Sequence, residues 1–408
     1  MFTSSKTNIQ LIKTGHVTSP IGFTAGGVHC GIRKSKLDFG WLHSNVPAHA
    51  AGVYTTNTFQ AAPLKLTKKS IAVDQKLQTI VVNSGIANSC TGDQGMTDAL
   101  KTQELVAKQM GIKEHLVSVA STGVIGVTLP MDKIGSAITT MDIADNQSVE
   151  RFENAILTTD TKTKHTAVKV DIDGKSITIG GAAKGSGMIQ PNMATMLAYL
   201  TTDANVEPNS LQNALRTITN QTFNMITVDG DTSTNDTVLL LANGQQNNNE
   251  LSENHPQWSL FVEALQKVSE ELSKQIARDG EGATKLIEVT VSGAPSSQAA
   301  RQVGKAVISS NLVKAAVYGA DPNWGRIICA VGYSDQPVDP DKVSVSLGTI
   351  SVVKNGLPVD FDEEEGTNYL SNEHVNIHID LQDGDSEATA WGCDLTYDYV
   401  KINASYRT

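Results

Sequence analysis

KGSGMIQPNMATMLAYLTTD, residues 184–203, decides how this chain is read. A glycine-loosened stretch runs into Met193-Ala194-Thr195, and the apolar run Met196-Leu197-Ala198-Tyr199-Leu200 follows at once. On propensity alone, a threonine in such a place only begins a β-strand. Three features argue for chemistry as well. Gly185, Gly187 and Pro191 can hold the strained backbone that self-cleavage needs, and the small Ala194 leaves its carbonyl approachable. Ser121-Thr122-Gly123, at the end of a predicted strand, offers a hydroxyl and a glycine amide. Two such donors suit a tetrahedral oxyanion at about 3 Å. Freed as a new N-terminal residue, Thr195 would carry a hydroxyl nucleophile and an amine together, a pairing that supports acyl transfer without a histidine base. Its α-amine, with an ordinary pKa of about 7.7–8.0, would titrate near working pH.

The rest of the chain is that of a globular protein. Its 408 residues suffice for two or three domain-sized units, with 39% apolar and 18% charged residues. A formal charge of −11 argues against a nucleic-acid-binding surface, where a basic patch is expected. Small polar substrates stay open. Cys30, Cys90, Cys329 and Cys393 lie far apart with no CxxC pair, so reduced and mostly buried thiols are expected. No stretch reaches the ~20 apolar residues of a membrane span, and the first residues carry no secretory pattern; a cytoplasmic location is expected, with no membrane partner. No metal is expected either. His374 and His378 stand four apart, but in an alternating stretch they share no helix face. Asp229, Asp231 and Asp236 read as carboxylates that organise turns, and His16, His29 and His43 as structural.

The pattern of elements is mixed. Residues 79–83 and 116–120 read as short strands, and 94–110, 132–142 and 148–158 as helices. Residues 168–172 and 176–179 flank Asp173-Gly174, a strong hairpin signal. Residues 210–222 read as a helix and 237–241 as a buried strand, with an exposed low-complexity loop at 244–256. Residues 258–278 show the apolar spacing of a long amphipathic helix. A strand at 286–292, helices at 296–309 and 312–318, and period-two strands beyond, including a terminal one at 400–403, complete the series. Helices and hairpins so interleaved predict α+β layers, a sandwich of mixed or antiparallel sheets flanked by helices.

Taken together these segments resemble the ornithine acetyltransferase family, the glutamate N-acetyltransferases of arginine biosynthesis. The resemblance runs from Gly15-His16-Val17-Thr18 to the last residues. It includes Asn83-Ser84-Gly85, Ser121-Thr122-Gly123-Val124, Thr158-Thr159-Asp160-Thr161, Pro191-Asn192-Met193-Ala194-Thr195-Met196-Leu197, Asp279-Gly280-Glu281-Gly282-Ala283-Thr284-Lys285 and Asn403-Ala404-Ser405-Tyr406-Arg407-Thr408. Ser405 departs from it, standing where the family pattern has an acid. The resemblance implies a self-cleaving fold of the N-terminal-nucleophile kind with a smaller C-terminal α/β domain, roughly 280–408. It implies cleavage between Ala194 and Thr195 into chains 1–194 and 195–408, paired as α₂β₂. It also implies ping-pong transfer of acetyl from N-acetylornithine to glutamate through Thr195. Thr122 and Gly123 would line the oxyanion hole, and Thr159, Lys184, Thr195, Glu281, Asn403 and Thr408 would touch substrate. No cofactor is implied, with acetyl-CoA open as a co-substrate. Two rivals stand beside this reading: an amidohydrolase or aminopeptidase in which water resolves the acyl-enzyme, and an uncut binding protein on the same fold.

Overall fold

The computed structural model describes residues 9–142, 149–190 and 196–405. Two mixed sheets organise it. The first runs in the order Gln10–Leu11, Lys164–Ile172, Lys175–Lys184, Leu197–Thr202, Thr237–Ala242, Phe39–Tyr54, Lys76–Ile86, Val117–Val124, with Phe23–Val28 also paired to Phe39–Tyr54. Most neighbours are antiparallel; Leu197–Thr202 with Thr237–Ala242 and Lys76–Ile86 with Val117–Val124 are parallel. The second sheet, of Leu357–Pro358, Ile350–Lys354, Ser344–Leu347, His374–Asp380, Leu286–Ala294 and Ser386–Cys393, takes its last strand, Ile226–Thr227, from earlier in the chain. The α+β layering expected from the pattern is what forms.

The helix Trp258–Arg278 keeps the bounds its periodicity predicts. It lies between the sheets, packed on the Lys164–Ile172/Lys175–Lys184 hairpin on one side and on Ser386–Cys393 on the other. Phe261, Leu265, Val268, Leu272 and Ile276 are fully buried and join one core that reaches both sheets. The hairpin turns at Asp173-Gly174, both at positive φ (52° and 71°), the backbone that a two-residue type I′ turn demands. Pro208–Gln221 starts two residues before its expected first turn, because Glu207 accepts from the amides of Asn209 and Ser210 and Pro208 needs no donor there.

The long strand Phe39–Tyr54 bends the first sheet. Between His43 and Ala48 five steps on this strand oppose two on its neighbour, from Thr79 to Leu77. A bulge of that size bends and twists a strand. Segments far apart in strand order then meet: Asn235, just ahead of Thr237–Ala242, donates to the carbonyls of Ala87 (2.6 Å) and Ser121 (2.8 Å).

Three expectations change. Residues 400–403 are not a strand but part of the helix Tyr397–Ser405. Val400 and Ile402 favour a strand by propensity, but Thr396 accepts from the Tyr399 amide at the helix start, and Tyr399 and Asn403 sit one turn apart. Cys90 and Cys329 are exposed and only Cys393 is buried, all four being free. The 244–256 loop, expected to be exposed, is only partly so: Asn248 and Leu251 inside it are buried, and Leu251 is bridged to Val206. Among the described residues no helix is long and apolar enough to cross a membrane.

Candidate active site

Residues 184–190 are held by partners from several separate segments. Lys184 ends its strand opposite Leu197. The Gly185 amide donates to Asp160 Oδ1 (2.7 Å) and the Ser186 hydroxyl to the Asp279 carbonyl (2.7 Å), while the Ser186 carbonyl accepts from the Glu281 amide (2.9 Å). A Cβ at Gly187 would lie 2.4 Å from Glu281 Cδ, so any larger residue would have to push the Glu281 carboxylate aside. The amides of Met188 and Ile189 both donate to Asp229 (2.7 and 2.8 Å), the turn-organising work expected of that carboxylate. The Gln190 carbonyl accepts from Thr232 Oγ1 (2.9 Å). Ala194 and Thr195 lie outside the described residues, as does Thr408. The chain resumes at Met196, buried, with its carbonyl accepting from the Thr237 amide (2.9 Å).

A cavity of about 200 Å³ opens beside this clamp. Thr122, Gly123, Thr158, Thr159, Lys184, Glu281 and Asn403 line it, so the structure brings together every described residue expected at the site. Ile189 and Met196, on either side of the undescribed segment, line it too. Thr122 and Gly123 arrive on the end of Val117–Val124. Gly123 has φ +129°, and a Cβ on it would stand 2.3 Å from the Gly85 carbonyl carbon. Lys184 Nζ donates to Thr122 Oγ1 (3.2 Å). Asn403 Nδ2 donates to Glu281 Oε2 (2.8 Å). Thr161 of the same Thr-Thr-Asp-Thr stretch is used elsewhere, its amide and hydroxyl on Asp279.

Beneath the cavity lies an ion cluster that the sequence reading did not pick out. Lys164, 1% exposed, donates to Asp160 Oδ1 (2.8 Å) and Asp279 Oδ2 (2.6 Å). Burial alone would raise the Asp160 carboxyl, but the Lys164 and Lys184 ammonium groups hold it well below the usual carboxylate range. Burial lowers Lys184, opposed by Asp160, Asp236 and Glu281. A signal for Lys164 was present. Residues 164, 166, 168, 170 and 172 form the buried face of their strand, so period two places a lysine on an apolar stripe. Tyr399 was also missed; it lines the cavity, with burial and Asp229 raising its phenol.

One group of donors among the described residues sits close enough to share an ion: His16, Glu153 and His165, with ligand atoms within 4.8 Å of one another. The two rings stack at 4.1 Å and 15°. Lone pairs in the planes of parallel rings do not converge on one ion, so the cluster reads as proton-sharing, His16 Nδ1 lying 2.9 Å from Glu153 Oε1.

The fold and cavity define a layered α+β protein whose pocket gathers a cation, an acid and a hydroxyl–glycine pair beside a clamped loop. The ArgJ family model matches residues 24–408, and the chain belongs to that family. It is 62% identical over 408 residues to the arginine biosynthesis bifunctional protein ArgJ of Oceanobacillus iheyensis, covering all of both chains. It is 57% identical over 410 residues to the protein of that name in Geobacillus kaustophilus, covering 100% of this chain and 99% of that one. The crystal structure of the arginine biosynthesis bifunctional protein argJ of Bacillus halodurans matches at 55% identity with a TM-score of 0.50, covering 51% of this chain and 98% of that chain.

Two substitutions test this geometry. Gly123→Ala should lower unfolding stability by on the order of 2 kcal/mol in a urea titration, since a side chain meets backbone in a left-handed conformation; an unchanged midpoint would contradict the packing. Burial raises Glu153 from its ordinary 4.5 to about 7, against the pull of His165. The folded state therefore holds a proton that the unfolded state has lost, and stability falls as pH climbs from 4.5 through 7. Glu153→Gln cannot ionise, so relative to the parent it should gain on the order of 2 kcal/mol between pH 4.5 and 8. Parallel urea curves at the two pH values would reveal no such gain if the carboxyl titrates normally.

Proposed function

We propose that the chain is a self-processing threonine-nucleophile acetyltransferase of arginine biosynthesis, moving acetyl from N-acetylornithine to glutamate. One observation carries the reading. Thr122, Gly123 and Lys184 share a cavity wall with Ile189 and Met196, the residues that flank the Ala194-Thr195 segment. The partial match to the Bacillus halodurans chain adds support: nearly all of that solved chain corresponds to only about half of this one, as expected for one product of cleavage near the middle.

In this mechanism the Thr195 hydroxyl attacks the Ala194 carbonyl, the acyl group shifts from nitrogen to oxygen, and water hydrolyses the ester. Chains 1–194 and 195–408 result, pairing as α₂β₂, and Thr195 gains a free α-amine. That amine takes the hydroxyl proton, directly or through one water, as Thr195 Oγ attacks the acetyl carbonyl. The oxyanion is held by Thr122 Oγ1 and the Gly123 amide, with the Lys184 charge beside Thr122. Collapse breaks the amide C–N bond, the proton passes to departing ornithine, and acetyl-Thr195 remains. The glutamate amine then attacks this ester and restores the hydroxyl. Preorganised donors of this kind are worth several kcal/mol in a site closed to water. Thr159 and Thr408 complete the substrate contacts on this reading, and acetyl-CoA is a second donor to be tested against glutamate alone.

A denaturing gel of the purified protein should show two bands of similar size, and Thr195→Ala a single full-length band with no acetyl transfer. Two bands from the Thr195→Ala protein would end the processing reading. Acetate release in place of N-acetylglutamate would favour the hydrolase. Asn403→Ala removes the neutral partner of Glu281 and should raise KM for N-acetylornithine about tenfold, roughly 1.4 kcal/mol, with a smaller change in kcat. Initial rates across a substrate series decide it, an unchanged KM placing Asn403 outside the binding site.

A further inference from the structure

We propose that Lys164 is a positioning residue: by taking up the charge of Asp160 it leaves Lys184 free to face Thr122. The proposal rests on the acyl-transfer reading above.

Lys164 commits all three ammonium hydrogens, to Asp160 Oδ1 (2.8 Å), Asp279 Oδ2 (2.6 Å) and the Lys162 carbonyl (3.2 Å). Asp160 accepts from three donors. Its Oδ1 accepts from Lys164 and from the Gly185 amide (2.7 Å), and its Oδ2 accepts from the Thr158 amide (2.9 Å). Lys184, next to Gly185 in the chain, bonds Thr122 Oγ1 instead. A buried carboxylate left without its counter-ion must find another or take up a proton. With Lys164 absent, the ammonium able to answer is that of Lys184, and it would be drawn off Thr122. The same bonds tie three cavity walls to one ammonium. Asp160 carries the Thr158-Thr159 wall and the start of the glycine loop, and Asp279 leads into Glu281.

The charges acting on Lys184 are those of Asp160, Asp236 and Glu281, which raise its pKa, and Lys164, which lowers it. Neutralising Asp160 removes one of the three raising groups, so Lys184 should lose its proton at lower pH.

The test compares Lys164→Met, Asp160→Asn and the double variant as full chains, with kcat and KM for acetyl transfer, the pH profile of kcat/KM and thermal melts. Lys164→Met should fold and lose roughly 100-fold in kcat, the cost of a group misplaced by about 1 Å. Asp160→Asn should move the alkaline limb of kcat/KM to lower pH. The double variant should recover at least about tenfold in kcat over Lys164→Met, because the carboxylate whose charge acts on Lys184 is then neutral. Asp279 loses the same counter-ion in both Lys164 variants and keeps the Thr161 amide and hydroxyl and the Lys162 amide in both, so the comparison isolates Asp160. A purely structural Lys164 predicts no such rescue. A double variant no better than Lys164→Met, or an unmoved alkaline limb, overturns the proposal. Should Lys164→Met fail to fold, the double variant is compared with Asp160→Asn: kcat values within about threefold support the proposal, and a further loss of roughly 100-fold overturns it. A parent enzyme that cleaves itself but transfers no acetyl group would instead sink the functional reading, and this proposal with it.

Discussion

A single ammonium group with 1% of its side chain exposed holds the candidate site together. Lys164 comes from the strand of the first sheet that carries the helix between the layers, and it bonds Asp160 and Asp279, which stand in two different loops. Burying such a charge costs several kcal/mol unless each of its hydrogens finds an acceptor. Here each does. The consequence is geometric more than stabilising, since an apolar trio of the same volume would fold as well. What it would not do is bring Thr158, Lys184 and Glu281 to one cavity with fixed spacing.

The glycine loop depends on that spacing. Gly123 has no room for a Cβ against the Gly85 backbone, and at Gly187 a Cβ would displace the Glu281 carboxylate. One glycine is therefore needed for backbone space and the other leaves room for the acid that lines the cavity. The loop's amides are shared among carboxylates from separate segments, Asp160 and Asp229. Hydrogen bonds to ionised acceptors are about twice as strong as neutral ones, so the chain approaches Pro191 along a path with little freedom. Strained backbone persists only where its surroundings over-determine it, and residues 184–190 are held by carboxylates and carbonyls from several segments.

Much of this was legible in the residues. The helix Trp258–Arg278 was readable to its last residue because its apolar face is continuous over 21 positions, and the Asp173-Gly174 hairpin because type I′ turns tolerate few other pairs. Thr122, Gly123, Lys184, Glu281 and Asn403 were all named from motifs, and one cavity holds them. The misses have physical causes. Phe39–Tyr54 breaks its alternation with Gly40, Pro47 and Gly52 and with a bulge, so no period marks it as sixteen residues of strand. The terminal helix hides behind β-favouring residues, none of them buried, because it is held by polar contacts at Thr396, Tyr399 and Asn403 that no propensity encodes. Lys164 was overlooked because a lysine is assumed to be solvated, although its place in the period-two register put it inside.

If the proposed acetyl transfer holds, the polarity of the cavity bears on how one pocket would serve two substrates in turn. Ornithine ends in an ammonium and glutamate in a carboxylate, so a pocket that paired strongly with one would reject the other. Lys184 and Glu281 are both present, and the partner of each is neutral: a hydroxyl at 3.2 Å for Lys184, a side-chain amide at 2.8 Å for Glu281. Each of these bonds has one ionised member and contributes roughly 1.5–3 kcal/mol, whereas stripping the partner from a buried ion pair costs about 3–5 kcal/mol. Either side chain would thus give up its resting partner for a substrate ion more readily than it would leave an ion pair. Had Lys184 been paired with Asp160, a substrate carboxylate would have had to break a buried ion pair to reach it. The full commitment of Lys164 and the half-commitment of Lys184 are two sides of one arrangement, in which fixed charges are neutralised below the cavity so that those facing it stay exchangeable.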